Sequence, residues 1–231
     1  MKRFSRLAVL AMVTMLAFAS VATAAEGKKK NAGAKKGAKV SAAAQGVADI
    51  KLASDLAAYA RRAKNPAAML VAAQIMKNTP VRDAAAKKNG AKAGAAAAKR
   101  FVTPETLLAE AKTMAGGNTD LVAMIDTEAT LAATRGAANG PQRIYENVLA
   151  GRTDVFQIKF IGGEKAQVGV VGDGDADIDL YIYDENDNLI ESDADRTSAC
   201  IAEWTPSWTG TFKVKIKNIG SVRSDYLLVT N

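Results

Sequence analysis

Residues 172–188, GDGDADIDLYIYDENDN, place four aspartates at every second position and continue into alternating apolar residues. Ile178, Leu180 and Ile182 share one side of this alternation, and polar or aromatic residues occupy the other side. A period of two is typical of a half-buried β-strand, because successive strand side chains point to opposite faces of a sheet. The polar run at 185–188 then predicts a hairpin loop. We therefore interpret this stretch as a loop, a strand and a hairpin.

Short segments with the same period follow one another from residue 151 to residue 231, separated by turn residues. They include VFQIKF (155–160), KAQVGVV (165–171), SACIAEW (198–204), TFKVKIK (211–217) and DYLLVT (225–230). A succession of about seven short strands of this kind is typical of a small β-sandwich. The sequence therefore predicts an antiparallel, jelly-roll-like β-sandwich of about seven strands over residues 151–231.

The order of these segments resembles the bacterial pre-peptidase C-terminal domain. The shared pattern is an aspartate-rich entry to a DLYIYD strand (177–184), a polar hairpin (186–188), an apolar residue ahead of WTG (204–210) and a final Y-x-L strand (226–228). The resemblance covers residues 151–231 and does not extend to the preceding half. It implies a β-sandwich that serves as an accessory module for secretion, substrate attachment or stabilisation. It implies no enzymatic activity, although calcium binding in the collagen-binding relatives makes calcium a candidate ligand.

Residues 1–24 have the composition of a signal peptide. Three basic residues within the first six precede the apolar run LAVLAMVTMLAFASV (7–21), which is short for a membrane span. The small residues ATA at 22–24 then suit cleavage by a signal peptidase. We therefore predict an exported protein, periplasmic or secreted, without a transmembrane segment after cleavage. An uncleaved anchor helix is the alternative.

Residues 25–46, AEGKKKNAGAKKGAKVSAAAQG, consist mainly of Lys, Ala and Gly. Such a composition offers little to bury and predicts a disordered basic linker. The linker either contacts an anionic surface, such as an envelope polymer, or simply separates the folded part from the membrane. No aromatic residue interleaves with the lysines to stack on bases, so we predict no sequence-specific binding of nucleic acid.

Residues 47–136 are rich in alanine and predict helices arranged as antiparallel hairpins. Leu52, Leu56 and Tyr59 recur at helical spacing and predict the apolar face of the first helix. The dipeptide at 65–66, asparagine followed by proline, is a helix-start signal.

Two further segments interrupt or follow these helices. The low-complexity run at 84–100 predicts a flexible excursion, and residues 137–150 predict a connector to the sandwich. The predicted fold class is therefore α+β in two segregated parts, an N-terminal all-α part of helical hairpins and a C-terminal antiparallel β-sandwich.

The charge is divided unevenly between these parts. The chain has a net charge of +7, whereas residues 151–231 contain 8 Lys and Arg against 14 Asp and Glu. A basic half followed by an acidic half indicates two different units, which are also able to attract each other.

The chain contains no histidine and one cysteine. The absence of histidine excludes Ser-His-Asp and Cys-His catalysis and any histidine-ligated metal site. No other catalytic motif is recognisable, so we predict that the protein is not an enzyme. Cys200 cannot form an intramolecular disulfide, and its place in a strand predicts that it is buried.

The aspartates at 173, 175, 177 and 179 are the candidate metal ligands. Their spacing resembles the start of an EF-hand loop, but Ile178 occupies the position where that loop requires glycine. A calcium site of another geometry remains a prediction for Asp173, Asp175, Asp177 and Asp179. The competing interpretation is that these are solvent-facing charges that protect a sheet edge.

Aromatic residues supply the remaining candidates. Tyr181 and Tyr183 lie on the polar side of the predicted strand and are the candidate ligand-binding residues. Trp204 and Trp208 are interpreted as core residues at the end of the sandwich, with ligand stacking as the alternative.

These observations favour an exported, non-catalytic protein whose β-sandwich is a binding or stabilising module. Its expected partner is a protein or polysaccharide outside the cell or in the cell envelope. The alternatives are an accessory subunit or remnant of a secreted peptidase or glycan-active hydrolase, and a structural protein that binds an envelope polymer.

Overall fold

The computed structural model describes residues 28–33, 37–84, 88–90, 99–131 and 140–231, which form four helices and ten strands. The helices are α1 (Ala42–Ala63), α2 (Pro66–Asn78), α3 (Pro104–Ala115) and α4 (Thr119–Thr130). The strands are β1 (Arg82–Asp83), β2 (Lys88–Gly90), β3 (Gln142–Val148), β4 (Thr153–Phe160), β5 (Ala166–Gly172), β6 (Ile178–Tyr183), β7 (Leu189–Asp193), β8 (Ala199–Trp204), β9 (Gly210–Asn218) and β10 (Ser224–Thr230). The predicted fold class is confirmed: helices occupy the N-terminal half and a largely antiparallel β-sandwich occupies the C-terminal half.

Two five-stranded sheets form the sandwich. The first has the order β1-β3-β10-β5-β8 and the second has the order β2-β4-β9-β6-β7. All pairs are antiparallel except β1 with β3. A core of apolar side chains, including Phe156, Leu180 and Val214, fills the space between the sheets. The predicted alternation in β6, with Ile178, Leu180 and Ile182 facing the core, is therefore confirmed.

Helix starts follow the signals in the sequence. The Asn65 side chain accepts a hydrogen bond from the backbone N–H of Ala68, and Pro66 begins α2. Thr103 and Thr106 form a reciprocal capping box at the start of α3. These caps satisfy backbone donors that have no partner within the helix.

The helices cover the first sheet. Helix α1 lies against β5 and β10, and Leu227, Val229 and Val171 belong to the same apolar cluster as the helices. Val47 of α1 packs against Gly169 of β5. If Gly169 were replaced by alanine, the new β-carbon would lie 3.4 Å from the Cγ1 atom of Val47. The two parts of the chain therefore share an interface.

The apolar face predicted for α1 is wrong at two of its three positions. Leu52 and Tyr59 are 56% and 49% exposed. Leu56 is partly buried and packs against the apolar cluster of the helices. The buried stripe consists of smaller residues: Val47, Ile50, Ala53, Ala57 and Ala60. Small side chains allow α1 to approach α2 and the sheet closely, so the largest apolar residues are left at the side of the helix.

Three predicted segment boundaries also differ from the structure. In the predicted disordered linker, Asn31 is fully buried against the sandwich and α1 already begins at Ala42. In the predicted flexible excursion, residues 88–90 form β2, because they pair with β4. The predicted connector contains β3, which pairs with β10.

The predicted signal peptide, residues 25–27 and 34–36, and parts of the excursion and connector lie outside the described residues. Among the helices of the described ranges, none is both long and apolar enough to cross a membrane.

Candidate ligand-binding face

The outer face of the second sheet brings together the aromatic and basic residues of three strands. Pairing of β6 with β9 places Tyr181 opposite Lys215 and Tyr183 opposite Lys213. Residues directly opposite in an antiparallel pair project from the same side of the sheet. We call this surface the Tyr–Lys face; it consists of Lys159, Tyr181, Tyr183, Lys213, Lys215 and Lys217.

Lys215 and Tyr183 form the centre of the Tyr–Lys face. The Lys215 Nζ atom lies over the Tyr183 ring, 4.1 Å from its centroid. Both residues are partly exposed, so the ring and the ammonium are presented to solvent together. An ammonium over an aromatic ring is held by the negative face of the ring quadrupole.

Tyr181 is oriented by a buried carboxylate. Its hydroxyl donates to Asp179 Oδ2 at 3.0 Å, and Asp179 is only 5% exposed. This hydrogen bond, assisted by partial burial, raises the pKa of Tyr181 above its ordinary value. Asp179 thus lies on the polar face, as the alternation predicts, but it is covered and positions Tyr181.

Two acidic side chains lie beside the four lysines of the face. Lys213 pairs with Asp187 at 2.5 Å, near the β6–β7 hairpin, and Asp179 lies opposite Lys217. Within the described part of the chain, Lys159 and Lys217 form no ion pair. Four of the eight basic residues of the acidic region 151–231 lie on this single surface. The face is therefore a local positive patch on an otherwise acidic sandwich.

The aspartates predicted as calcium ligands are divided between different contacts. Asp173 accepts hydrogen bonds from Ser224 Oγ at 2.8 Å and from the backbone N–H of Asp225 at 3.0 Å, which ties the β5–β6 loop to β10. Asp179 bonds to Tyr181, as described above. The Oδ1 atom of Asp177 is buried without a hydrogen-bond partner.

No group of three or more potential metal-ligating side chains is found within the described residues. The side-chain arrangement therefore does not fit a site made by all four aspartates, and calcium binding stays a prediction from the sequence.

That prediction is checked by thermal unfolding of the full chain in EDTA and in millimolar calcium. Calcium bound only to the folded state raises the midpoint, by the equivalent of about 2.7 kcal/mol at 100 times the dissociation constant. Asp177→Asn should remove the increase, because Asp177 has the free carboxylate oxygen, and magnesium serves as the control for general ionic strength. An unchanged midpoint in calcium would rule the site out.

The two tryptophans have different environments. Trp204 is 2% exposed and packs edge-on against Phe160, with ring centroids 4.7 Å apart, which confirms it as a core residue. Trp208 differs from the prediction: it is partly exposed, and its Nε1–H donates to Glu185 at 2.6 Å. It lies at the end of the sandwich because the loop from 205 to 209 carries it beyond β8.

Cys200 is fully buried, as predicted, and its thiol contacts the Ile178 carbonyl oxygen at 2.9 Å. Burial raises the pKa of this thiol to about 12, so the thiolate is scarce at neutral pH. The residue is therefore a buried packing residue.

A buried ion pair joins the two halves at the edge of the second sheet. Lys88 Nζ of β2 lies 2.7 Å from Asp154 Oδ2, and Asp154 also accepts a hydrogen bond from the buried Tyr226 hydroxyl at 2.7 Å. The Lys88 side chain is 11% exposed and that of Asp154 is 3% exposed. The sequence does not predict this contact, because Lys88 lies in a low-complexity segment.

The fold and the Tyr–Lys face define a β-sandwich protein in which helices cover one sheet and the other sheet presents an aromatic and basic surface. No protein-family model matches the chain, and no curated protein matches it.

Solved structures similar to this chain include the pre-peptidase C-terminal domain of a collagenase from Bacillus anthracis. It is 14% identical and has a TM-score of 0.33, with 38% of this chain and 87% of that chain covered. A periplasmic inhibitor of g-type lysozyme from Aeromonas hydrophila is 8% identical over 39% of this chain and 84% of that chain, with a TM-score of 0.31. A carbohydrate-binding module of lichenase 5A from Cellvibrio mixtus is 10% identical over 40% and 86%, with a TM-score of 0.27.

At these identities and TM-scores, the similarities assign no family, ligand or activity to this chain.

Proposed function

We propose that this protein is an exported, non-catalytic binding protein that holds an acidic polysaccharide on its Tyr–Lys face. The observation that carries the proposal is the pairing of β6 with β9, which sets two tyrosines beside three lysines on an exposed sheet surface. Export, to the periplasm or beyond the cell, rests on the signal-peptide pattern of residues 1–24.

The two residue types suit two parts of such a ligand. Tyrosine rings offer flat apolar surfaces with a hydroxyl at one end, which matches the mixed apolar and polar surface of a sugar ring. Lysine ammonium groups attract carboxylate or sulfate groups along the polymer and retain freedom to adjust to their spacing. A positive patch surrounded by acidic surface also orients an approaching polyanion toward this sheet.

The test is a titration of the full chain with alginate, an acidic polysaccharide, by isothermal titration calorimetry. We expect alginate to bind and dextran, a neutral polysaccharide, to bind far more weakly. Replacing Lys213, Lys215 and Lys217 together by Gln should weaken alginate binding about tenfold, since each exposed charge contributes about 0.5 kcal/mol and 1.4 kcal/mol is a factor of ten.

Two controls separate recognition from general charge attraction. Lys51, Lys64 and Lys112 on the helical half can be replaced together by Gln; this lowers the net charge equally and should leave alginate affinity nearly unchanged. Polyphosphate supplies negative charge without sugar rings, so Tyr181→Ala with Tyr183→Ala should reduce binding of alginate more than binding of polyphosphate. Full retention of alginate binding by this double variant would contradict the proposal.

A further inference from the structure

Residues 28–33, in the basic segment ahead of α1, are docked on the end of the sandwich. Asn31 is fully buried there, although its three preceding lysines are exposed. The Asn31 side chain pairs with the backbone of Trp208: its Nδ2 donates to the carbonyl at 3.1 Å, and its Oδ1 accepts from the N–H at 3.1 Å. The backbone N–H of Gly33 adds a hydrogen bond to the Thr205 carbonyl at 2.6 Å.

The pocket around Asn31 is shaped for this residue. The buried carboxylate of Asp184 accepts the Asn31 backbone N–H at 2.9 Å. Although burial raises the pKa of Asp184, hydrogen bonds from Asn31, Asn188 and Asn186 outweigh it and hold the pKa below its ordinary value. Gly210 leaves the necessary room, since a β-carbon there would lie 2.9 Å from Asn31 Nδ2.

Docking places the lysines beside the Tyr–Lys face. The carbonyl groups of Lys28 and Lys29 accept hydrogen bonds from Asn188 and Asn186, at 3.1 Å and 3.2 Å. Lys29 Nζ lies 5.9 Å from the centroid of the Trp208 indole.

Asp187 of the same hairpin connects the two basic groups. Its pKa is lowered chiefly by the hydrogen bond from Lys213, with smaller effects from Lys215 and Lys28. Lys28 of the docked segment and Lys213 and Lys215 of β9 therefore all stabilise the charged form of the same carboxylate, that of Asp187.

The docked segment changes the charge of this end of the sandwich. The hairpin presents two exposed carboxylates at this end, those of Glu185 and Asp187. Those carboxylates repel a polyanion that extends beyond the Tyr–Lys face. Lys28, Lys29 and Lys30 bring three positive charges to the same edge and remove that repulsion.

We infer that residues 28–33 are part of the polysaccharide-binding surface, so that one acidic chain contacts both the Tyr–Lys face and the docked lysines. This inference rests on the proposed function and concerns how the affinity for the polysaccharide is regulated. Docking through Asn31 sets the affinity, and release of the segment lowers it.

The experiment compares the full chain with its Asn31→Ala variant. Release of the segment is measured as the rate of trypsin cleavage after Lys28, Lys29 and Lys30, which should rise in the variant. Alginate affinity should fall about threefold to tenfold, and its dependence on salt should become weaker, because fewer lysines remain fixed near the ligand.

A second variant separates docking from charge. Replacing Lys28, Lys29 and Lys30 by Gln leaves the contacts of Asn31 in place and should lower alginate affinity to a similar extent. Wild-type affinity and salt dependence in both variants would overturn this inference and leave the proposed function intact. Absence of alginate binding by the wild-type protein would overturn both.

Discussion

Lys88→Met is expected to lower the free energy of unfolding by about 3–5 kcal/mol at neutral pH, because it leaves the Asp154 carboxylate buried without its counter-charge. The Asp154 side chain is 3% exposed, and Lys88 Nζ lies 2.7 Å from its Oδ2 atom. Methionine approximates the length of the lysine stem, so the variant removes the charge with little change in packing. Urea denaturation at pH 7 provides the measurement.

The loss should shrink as the pH is lowered. Burial raises the pKa of Asp154 in the folded protein, against the lowering effect of hydrogen bonds from Lys88 and Tyr226. A raised carboxyl pKa means that the folded state takes up the proton more readily, so this group destabilises the fold as the pH rises through that pKa. Removing Lys88 raises the pKa further. The variant should therefore approach wild-type stability once acidification has neutralised Asp154.

Lys112→Met is the matched control. Lys112 pairs with Asp126 at 2.6 Å, but both side chains are about half exposed, at 51% and 52%. Exposed pairs of this kind contribute about 0–1 kcal/mol. Equal stability of the Lys88 and Lys112 variants would show that the Asp154 ion pair does not stabilise the fold.

Leu227→Ala should destabilise both halves of the protein by about 2–5 kcal/mol. Leu227 belongs to β10 but is 2% exposed within the cluster formed by the helices. The substitution leaves a cavity in this cluster. The cavity therefore weakens the packing between the helices and the first sheet. Tryptophan fluorescence reports on the sandwich and circular dichroism at 222 nm reports mainly on the helices, and the two transitions should coincide and shift together.

The corresponding control is Leu52→Ala, on the exposed side of α1. Leu52 is 56% exposed, so the expected change is within about 0.5 kcal/mol. Separate fluorescence and dichroism transitions in Leu227→Ala would mean that the helices and the sandwich unfold independently.

The sequence predicted the sandwich well because strand periodicity is visible in local sequence. Ile178, Leu180 and Ile182 alternate with polar residues, and all three are fully buried in the structure. The buried face of α1 was predicted wrongly because alanines recur throughout this helix. The hydrophobic pattern therefore does not distinguish its buried side from its exposed sides. Large residues such as Leu52 then dominate the pattern although they do not pack in the core.

Only part of the candidate site could be predicted, because local patterns give the direction of side chains within a strand but not their neighbours on other strands. The outward positions of Tyr181 and Tyr183 follow from alternation within one strand. Their proximity to Lys213 and Lys215 depends on the register between β6 and β9, which no short-range pattern determines.

Two long-range contacts were beyond any local pattern. Asn31 and Lys88 lie in compositions typical of disorder, yet each is fixed by a carboxylate more than 60 residues away in the chain. The only local hint at Asn31 is one short polar side chain following three lysines.

The position of β10 connects the two cores. This strand lies between β3 and β5, and it contributes Leu228 to one core and Val229 to the other. A slip of one residue in the register of β10 would exchange the side chains that face the two cores. Such a slip would therefore disrupt the packing of both cores at once.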